Sequence, residues 1–220
     1  MGILNVTLVN NKAELLELGI EAATNIFEPN KIWVEYSDEK PEVSRSLLEI
    51  IRRLHKALAI NHPMRALALA SSHEPQVEIL EAAFAGGLFL SDLNQRGLDI
   101  ASERIARLKI KHTHPILGDF TKDFADQPSA EKSLADKFGG IPFELITLHH
   151  CLYFCPKNQW RTLVETLANT ILAPQGVIRI SLMSATDQRE GTSTRLYEQF
   201  TERYYNHKND QDLLELGAEL

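Results

Sequence analysis

Cysteine, long apolar runs and positive charge are all scarce in this chain, and each shortage removes a class of explanation. Its 220 residues include two cysteines. Cys151 and Cys155 sit four apart in an apolar stretch, which is not a disulfide framework. A reducing, cytoplasmic setting fits that usage. No apolar run approaches the roughly 20 residues that span a bilayer, so no membrane association is expected. Residues 1–17, MGILNVTLVNNKAELLE, show no basic stretch followed by a small-residue cleavage site, so no signal peptide is read there. They also lack the Ser or Thr of the myristoylation pattern. Lys and Arg total 23 against 30 Asp and Glu, for a net charge of -7. Binding a phosphate backbone takes clustered Lys and Arg, so nucleic acid is not the expected partner.

Glycine is missing at one telling place. Residues 66–76 read ALALASSHEPQ. They look like a buried strand entering a helix, where many nucleotide-binding folds put a glycine-rich loop.

What is present is an ordinary globular composition, 44% hydrophobic and 24% charged. Asn11 and Glu14 resemble a capping box that opens a helix to about Phe27. A second helix starts near Pro41, with Leu47, Leu48, Ile51, Leu54 and Leu58 as its apolar stripe. From residue 64 the texture changes. Apolar runs at 65–70, 88–93, 114–120, 143–150 and 176–183 read as strands, the first of them buried on both faces. Amphipathic helices are expected from Pro75 to about 85, over 98–110 and over 158–172. Residues 121–141 read as a loop. A last helical pattern covers 194–205. Strands alternating with helices imply a doubly wound, mainly parallel α/β sheet. Ligands of such sheets sit at the carboxyl ends of the strands, near the switch point. The chain divides into an N-terminal helical cap, 1–62, and a core, 63–220, with a lid segment at 184–207.

Asp92, followed by Leu93, ends the second strand 22 positions after Ala70. An acid there can accept from both hydroxyls of a ribose; it can equally cap a helix. Asp119 and Phe120 end the third strand. They suit an adenine amino group and base face, or simply a tight turn.

Taken in order, these segments resemble the class I S-adenosylmethionine-dependent methyltransferases. LFLSDLNQRGLDIASERI is similar to that family's second motif, ILGDF to its adenine-binding motif, and FELITLHHCLYFCP to its fourth. LANTILAPQGVIRIS is similar to its helix, turn and fifth strand, with Pro-Gln-Gly for the usual Pro-Gly-Gly. The resemblance covers about residues 64–183. It implies a Rossmann-like methyltransferase fold and S-adenosylmethionine as cofactor. It implies ribose contact by Asp92, adenine contact by Asp119 and Phe120, and His149 near the methionine portion and the sulfonium. Ala70, Ser71 and Ser72 take the glycine-loop positions, which makes that motif degenerate. They keep its smallness and lose the freedom of glycine at positive φ. His73 and Glu74 are bulkier, and Glu74 either caps the next helix or repels a carboxylate.

Methyl transfer from a sulfonium needs alignment, exclusion of water and sometimes a base. His150 and Tyr153 are the candidates for that chemistry. His149, His150, Cys151 and Cys155 are ligand types for zinc. Successive strand residues point to opposite faces, however, so no metal site is expected. Trp33, Tyr36, Tyr197, Phe200, Tyr204 and Tyr205 are candidate lid or packing aromatics. Family members add an antiparallel hairpin after the helix suggested by DLLELGAEL. Its absence would leave an open sheet edge, so a second copy or another partner chain is expected to cover it. The acceptor is expected to be a small molecule. A non-catalytic domain of the same fold, used for binding or assembly, is the second reading. A nicotinamide-dependent Rossmann enzyme is the third.

Overall fold

The computed structural model describes residues 39–59, 61–70, 76–184, 192, 194–195, 198–199, 202–203 and 213–220. Expectations for the helix at 11–27, for Trp33, Tyr36, Ser71, Ser72, His73, Glu74 and Pro75, and for the aromatics at 197, 200, 204 and 205 lie outside these residues.

Five strands form the sheet: β1 (Arg65–Leu69), β2 (Gly87–Asp92), β3 (Thr113–Leu117), β4 (Phe143–His149) and β5 (Leu172–Ser181). Their order is β3-β2-β1-β4-β5, and every pairing is parallel. The chain therefore winds outward twice from β1, and the switch point lies between β1 and β4. Helices cover both faces, giving the doubly wound α/β architecture.

One face receives α1 (Glu39–Ala57), α2 (Val77–Ala83) and α3 (Gln95–Leu108). Val43, Leu47, Ile51 and Leu54 of α1 recur every three or four residues and are all buried. They meet Leu80 and Phe84 over Ala66, Ala68, Leu88 and Leu90. The two alanines on β1 leave room for the helices to approach. Leu48 was expected in the same stripe, but it is 57% exposed. It sits about 100° around the helix from Leu47 and so misses the buried seam.

The other face receives α4 (Phe120–Asp123), α5 (Gln127–Phe138), α6 (Trp160–Thr166) and α7 (Leu213–Glu219). Here Leu67, Leu69, Ile146 and Leu148 meet Phe124, Phe138, Trp160, Leu163 and Leu216. The loop expected over 121–141 is in fact two helices. Asp119 caps α4 by accepting from Thr121 N–H. Asp126 caps α5 by accepting from Ser129 N–H, Pro128 lies in its first turn, and Gly139 ends it at φ 72°. Helix α5 buries Ala130, Ser133 and Phe138. With so few large apolar residues it shows little periodicity in sequence.

Helix α6 continues through a π-helical turn, Leu167–Ile171, straight into β5. Pro174, Gln175 and Gly176 bulge out of the ladder there, because Phe143 pairs with Leu172 and Leu145 with Val177. At the amino end of the sheet Arg65 lies over the rings of Phe89 and Phe143, 4.8 and 4.6 Å from their centroids. It donates to Phe138 O at 2.7 Å. That end is tied by structural contacts; the carboxyl end carries the polar cluster described next. Among the described residues no helix is long and apolar enough to cross a membrane.

Candidate functional site

Four strand ends meet at the carboxyl edge of the sheet. Ala70 follows β1 with left-handed backbone, φ 51°. Its N–H donates to Ser91 O at 2.7 Å, which fixes the exit of β1 against β2. A residue with a Cβ resists this conformation by roughly 1–2 kcal/mol, and glycine adopts it freely. The loss of glycine takes away the residue best suited to this turn. Ala70 makes it regardless, and only the smallest side chain other than glycine's has to be accommodated.

Gln76 precedes α2 and is 5% exposed. Its side chain does not cap the helix. Neither atom of its amide has a hydrogen-bond partner among the described residues. Buried amides are rarely left so, and leaving one unpaired costs about 1–3 kcal/mol. The sequence reading missed this residue. A glutamine beside a helix start has no periodicity or motif to mark it.

Asp92 closes β2 and is 8% exposed. One carboxylate oxygen accepts from Asn94 N–H at 2.9 Å. Capping of α3 falls to Asn94, which accepts from Gly97 N–H. The acid is therefore not the helix cap that the sequence alone allowed. Leu93 stands beside it, 68% exposed.

Asp119 is committed locally. It accepts from Thr121 Oγ1 at 2.7 Å and Thr121 N at 3.1 Å, and pairs with Lys122 at 3.0 Å. The Thr121 hydroxyl is the main cause that holds its carboxyl below the usual range, with Lys122 assisting. Phe120 is buried in the core between α4 and the sheet.

The ends of β4 and β5 carry the densest cluster. His149 is 3% exposed, and its Nδ1 lies 2.5 Å from Ser181 Oγ. His150 N–H donates to Ser181 O at 2.9 Å. Tyr153 Oη accepts from Met183 N–H at 2.6 Å and lies 3.5 Å from His150 Nδ1. The His150 and Tyr153 rings stack with centroids 6.1 Å apart. Trp160 supports this loop from below, donating to Cys155 O at 2.9 Å and Leu152 O at 3.2 Å. The structure thus brings together His149, His150 and Tyr153.

One premise of the metal argument fails. His149 and His150 were expected on opposite faces, yet their rings meet at 4.5 Å. His150 has left the strand with φ 49°, so strand alternation no longer applies to it. Burial pushes the Cys151 thiol up to about 12, with the Asp92 charge contributing, and burial also raises Cys155.

No protein-family model and no curated protein matches the sequence. Solved structures do match. An S-adenosylmethionine-dependent methyltransferase from Clostridium acetobutylicum ATCC 824 is 17% identical with a TM-score of 0.52, over 76% of this chain and 58% of that one. The N-methyltransferase NodS from Bradyrhizobium japonicum WM9 is 16% identical with a TM-score of 0.50, over 83% and 84%. PKMT2 from Rickettsia typhi, solved with AdoHcy, is 15% identical with a TM-score of 0.49, over 73% and 29%. The chain therefore spans less than a third of PKMT2 and a little over half of the Clostridium protein. With the sheet order and the helices on both faces, the likeness to the first two establishes a Rossmann-like methyltransferase fold.

Proposed function

We propose that this chain binds S-adenosylmethionine and transfers its methyl group to a small-molecule acceptor. The observation that carries the reading is Asp92: a buried carboxylate at the end of β2, in a parallel sheet of this order, not used as a helix cap. The unpartnered amide of Gln76 supports it, because a polar ligand at the β1 exit would supply what that amide lacks. Methyltransferase likeness in the Clostridium and Bradyrhizobium structures supports the class of reaction. The net charge of -7 favours a small acceptor over a nucleic acid.

In this reading Asp92 accepts from the ribose hydroxyls. Leu93 offers the exposed apolar surface for the adenine, and Asp119 with the main chain at Phe120 borders it. The family resemblance assigns the amino-acid end to Ala70, Ser71 and Ser72, and His149 to the methionine portion. When bound, the cofactor supplies an electrophilic methyl carbon that needs no further activation. The protein's own contribution is alignment and proton removal. His150 takes the acceptor's proton at an imidazole nitrogen, and Tyr153 orients that ring through the stacked contact.

A second reading, a binding or assembly domain without catalysis, has one observation in its favour. Asp119 is spent on Thr121 and Lys122, and Phe120 on the core, so two expected adenine contacts already have structural partners. Calorimetric titration with S-adenosylmethionine separates the two. Saturable heat supports the first reading, and its absence removes it.

A further inference from the structure

The ends of β4 and β5 carry a hydrogen-bond chain whose direction follows from its chemistry. Ser181 Oγ lies 3.2 Å from Arg179 Nη1 and 2.5 Å from His149 Nδ1. A guanidinium has N–H donors and no lone pair to offer. Ser181 Oγ therefore accepts from Arg179. The hydroxyl still has its own proton to place. Among the described residues its only other side-chain partner is His149 Nδ1. Pointed there, the proton meets the imidazole lone pair. A neutral imidazole that accepts at Nδ1 carries its hydrogen at Nε2.

The opposite arrangement is worse on two counts. With a proton on Nδ1, two N–H donors would converge on Ser181 Oγ and its hydroxyl proton would lose its acceptor. An imidazolium would add a second cation one hydroxyl away from Arg179. With His149 3% exposed, water does little to relieve either problem.

We infer that Arg179 and Ser181 are positioning residues that hold His149 neutral, as its Nε2–H tautomer, so that it is a fixed hydrogen-bond donor at the end of β4. The chain reaches beyond the sheet, because Arg179 Nε also lies 3.4 Å from Ser46 Oγ on α1. That helix thereby helps to set the orientation of a histidine in the candidate site.

The consequence for ligands rests on the methyl-transfer reading. Whatever His149 Nε2 meets must offer a lone pair. A carboxylate or carbonyl oxygen suits it; a sulfonium does not. His149 thus belongs with the carboxylate of the cofactor's amino-acid portion or with an oxygen of the acceptor. Proton removal is left to His150, whose Nδ1 lies 3.5 Å from the Tyr153 hydroxyl.

The test is a long-range proton–nitrogen correlation spectrum of the full chain labelled with 15N-histidine, at neutral pH and without ligand. The chain has eight histidines, and His149→Gln identifies the signal set by its loss. The expected pattern is a single Nε2–H tautomer with an acceptor-type Nδ1. Ser181→Ala should convert it to a mixture or to the other tautomer, and Ser181→Thr, which keeps the hydroxyl, should restore it. If Ser181→Ala does not fold, Arg179→Met is read instead, with the same loss expected. An Nδ1–H tautomer or an imidazolium in the unsubstituted protein overturns the inference. So does a pattern unchanged in the variant read. Titrating the same sample with S-adenosylmethionine keeps the two ideas separate. No binding with the tautomer intact removes the function and leaves the relay; binding with the wrong tautomer does the reverse.

Discussion

Ala70 and His150 end the two strands that flank the switch point, and both do so with left-handed backbone, φ 51° and 49°. Each then ties its strand to the outer neighbour: Ala70 N–H to Ser91 O, and His150 N–H to Ser181 O. The crevice between β1 and β4 is thus framed by two matched turns, neither of them built from glycine.

That geometry predicts how Ala70 tolerates change. Ala70→Gly removes the Cβ conflict, worth roughly 1–2 kcal/mol, and adds unfolded-chain entropy of roughly 0.4–1 kcal/mol against it. The net expectation is unchanged or slightly higher stability in urea denaturation. Ala70→Val should lose about 1–3 kcal/mol, because a β-branched residue resists left-handed backbone more strongly. Equal stability of the two variants would mean that the turn is not left-handed.

Gly118 predicts a coupled pair. A Cβ built there would lie 2.6 Å from Ser91 Oγ and 2.8 Å from Asp123 Oδ2. Gly118→Ala should cost about 1–3 kcal/mol through overpacking. Ser91 Oγ is itself buried without a partner among the described residues, so Ser91→Ala should be neutral or stabilising. Together the two should recover part of the loss, giving a favourable coupling of at least about 0.5 kcal/mol in a double-mutant cycle. Simple additivity would contradict the contact.

The thiols supply a third prediction. Cys151 and Cys155 are both buried, and burial raises both, Cys151 to about 12. Native protein at mildly alkaline pH should react with a thiol reagent far more slowly than a free cysteine, and denaturant should release both. The folded state keeps the Cys151 proton that the unfolded chain gives up near its ordinary value of 9.0. The associated stability is therefore complete below that pH. It falls as pH rises from there toward 12, by up to about 1.4 kcal/mol per unit. Fast labelling of native protein would contradict the burial.

Asp119 titrates in the opposite sense. Its carboxyl is held below the usual range by Thr121 first and Lys122 after. The cap on α4 should be at full strength above the ordinary carboxylate value and should weaken as pH falls through the lowered one. Asp119→Asn keeps a capping oxygen and should flatten that acid dependence in thermal unfolding. An identical pH profile in the variant would show that Asp119 does not contribute.

The sheet was legible because its central strands β1 and β4 are buried along their whole length and so appear as short, dense apolar runs. Residues 65–69 and 143–149 need no context to be read that way. Asp92 stood out because it terminates such a run. Helix α5 was not legible from periodicity, since the residues it buries are Ala130, Ser133 and Phe138. Asp126, Pro128 and Gly139 marked its ends all the same, and capping outweighs hydrophobic pattern in a helix of this kind. Ala70's backbone could not be read, because alanine carries no turn preference and its conformation is imposed by the β1–β2 exit. The Arg179–Ser181–His149 chain could not be read either. It joins β4 to β5 across the helix between them, and only the register that pairs His149 with Ser181 brings it together.

The most direct measurement is a calorimetric titration of the chain and of Asp92→Ala with S-adenosylmethionine and S-adenosylhomocysteine. The account predicts saturable binding to the unsubstituted protein. It predicts a weakening on the order of 10- to 100-fold in the variant, from the loss of charge-assisted bonds worth about 1.5–3 kcal/mol. Binding unchanged by Asp92→Ala would refute the ribose contact. No heat and no thermal shift at millimolar ligand would contradict the central claim.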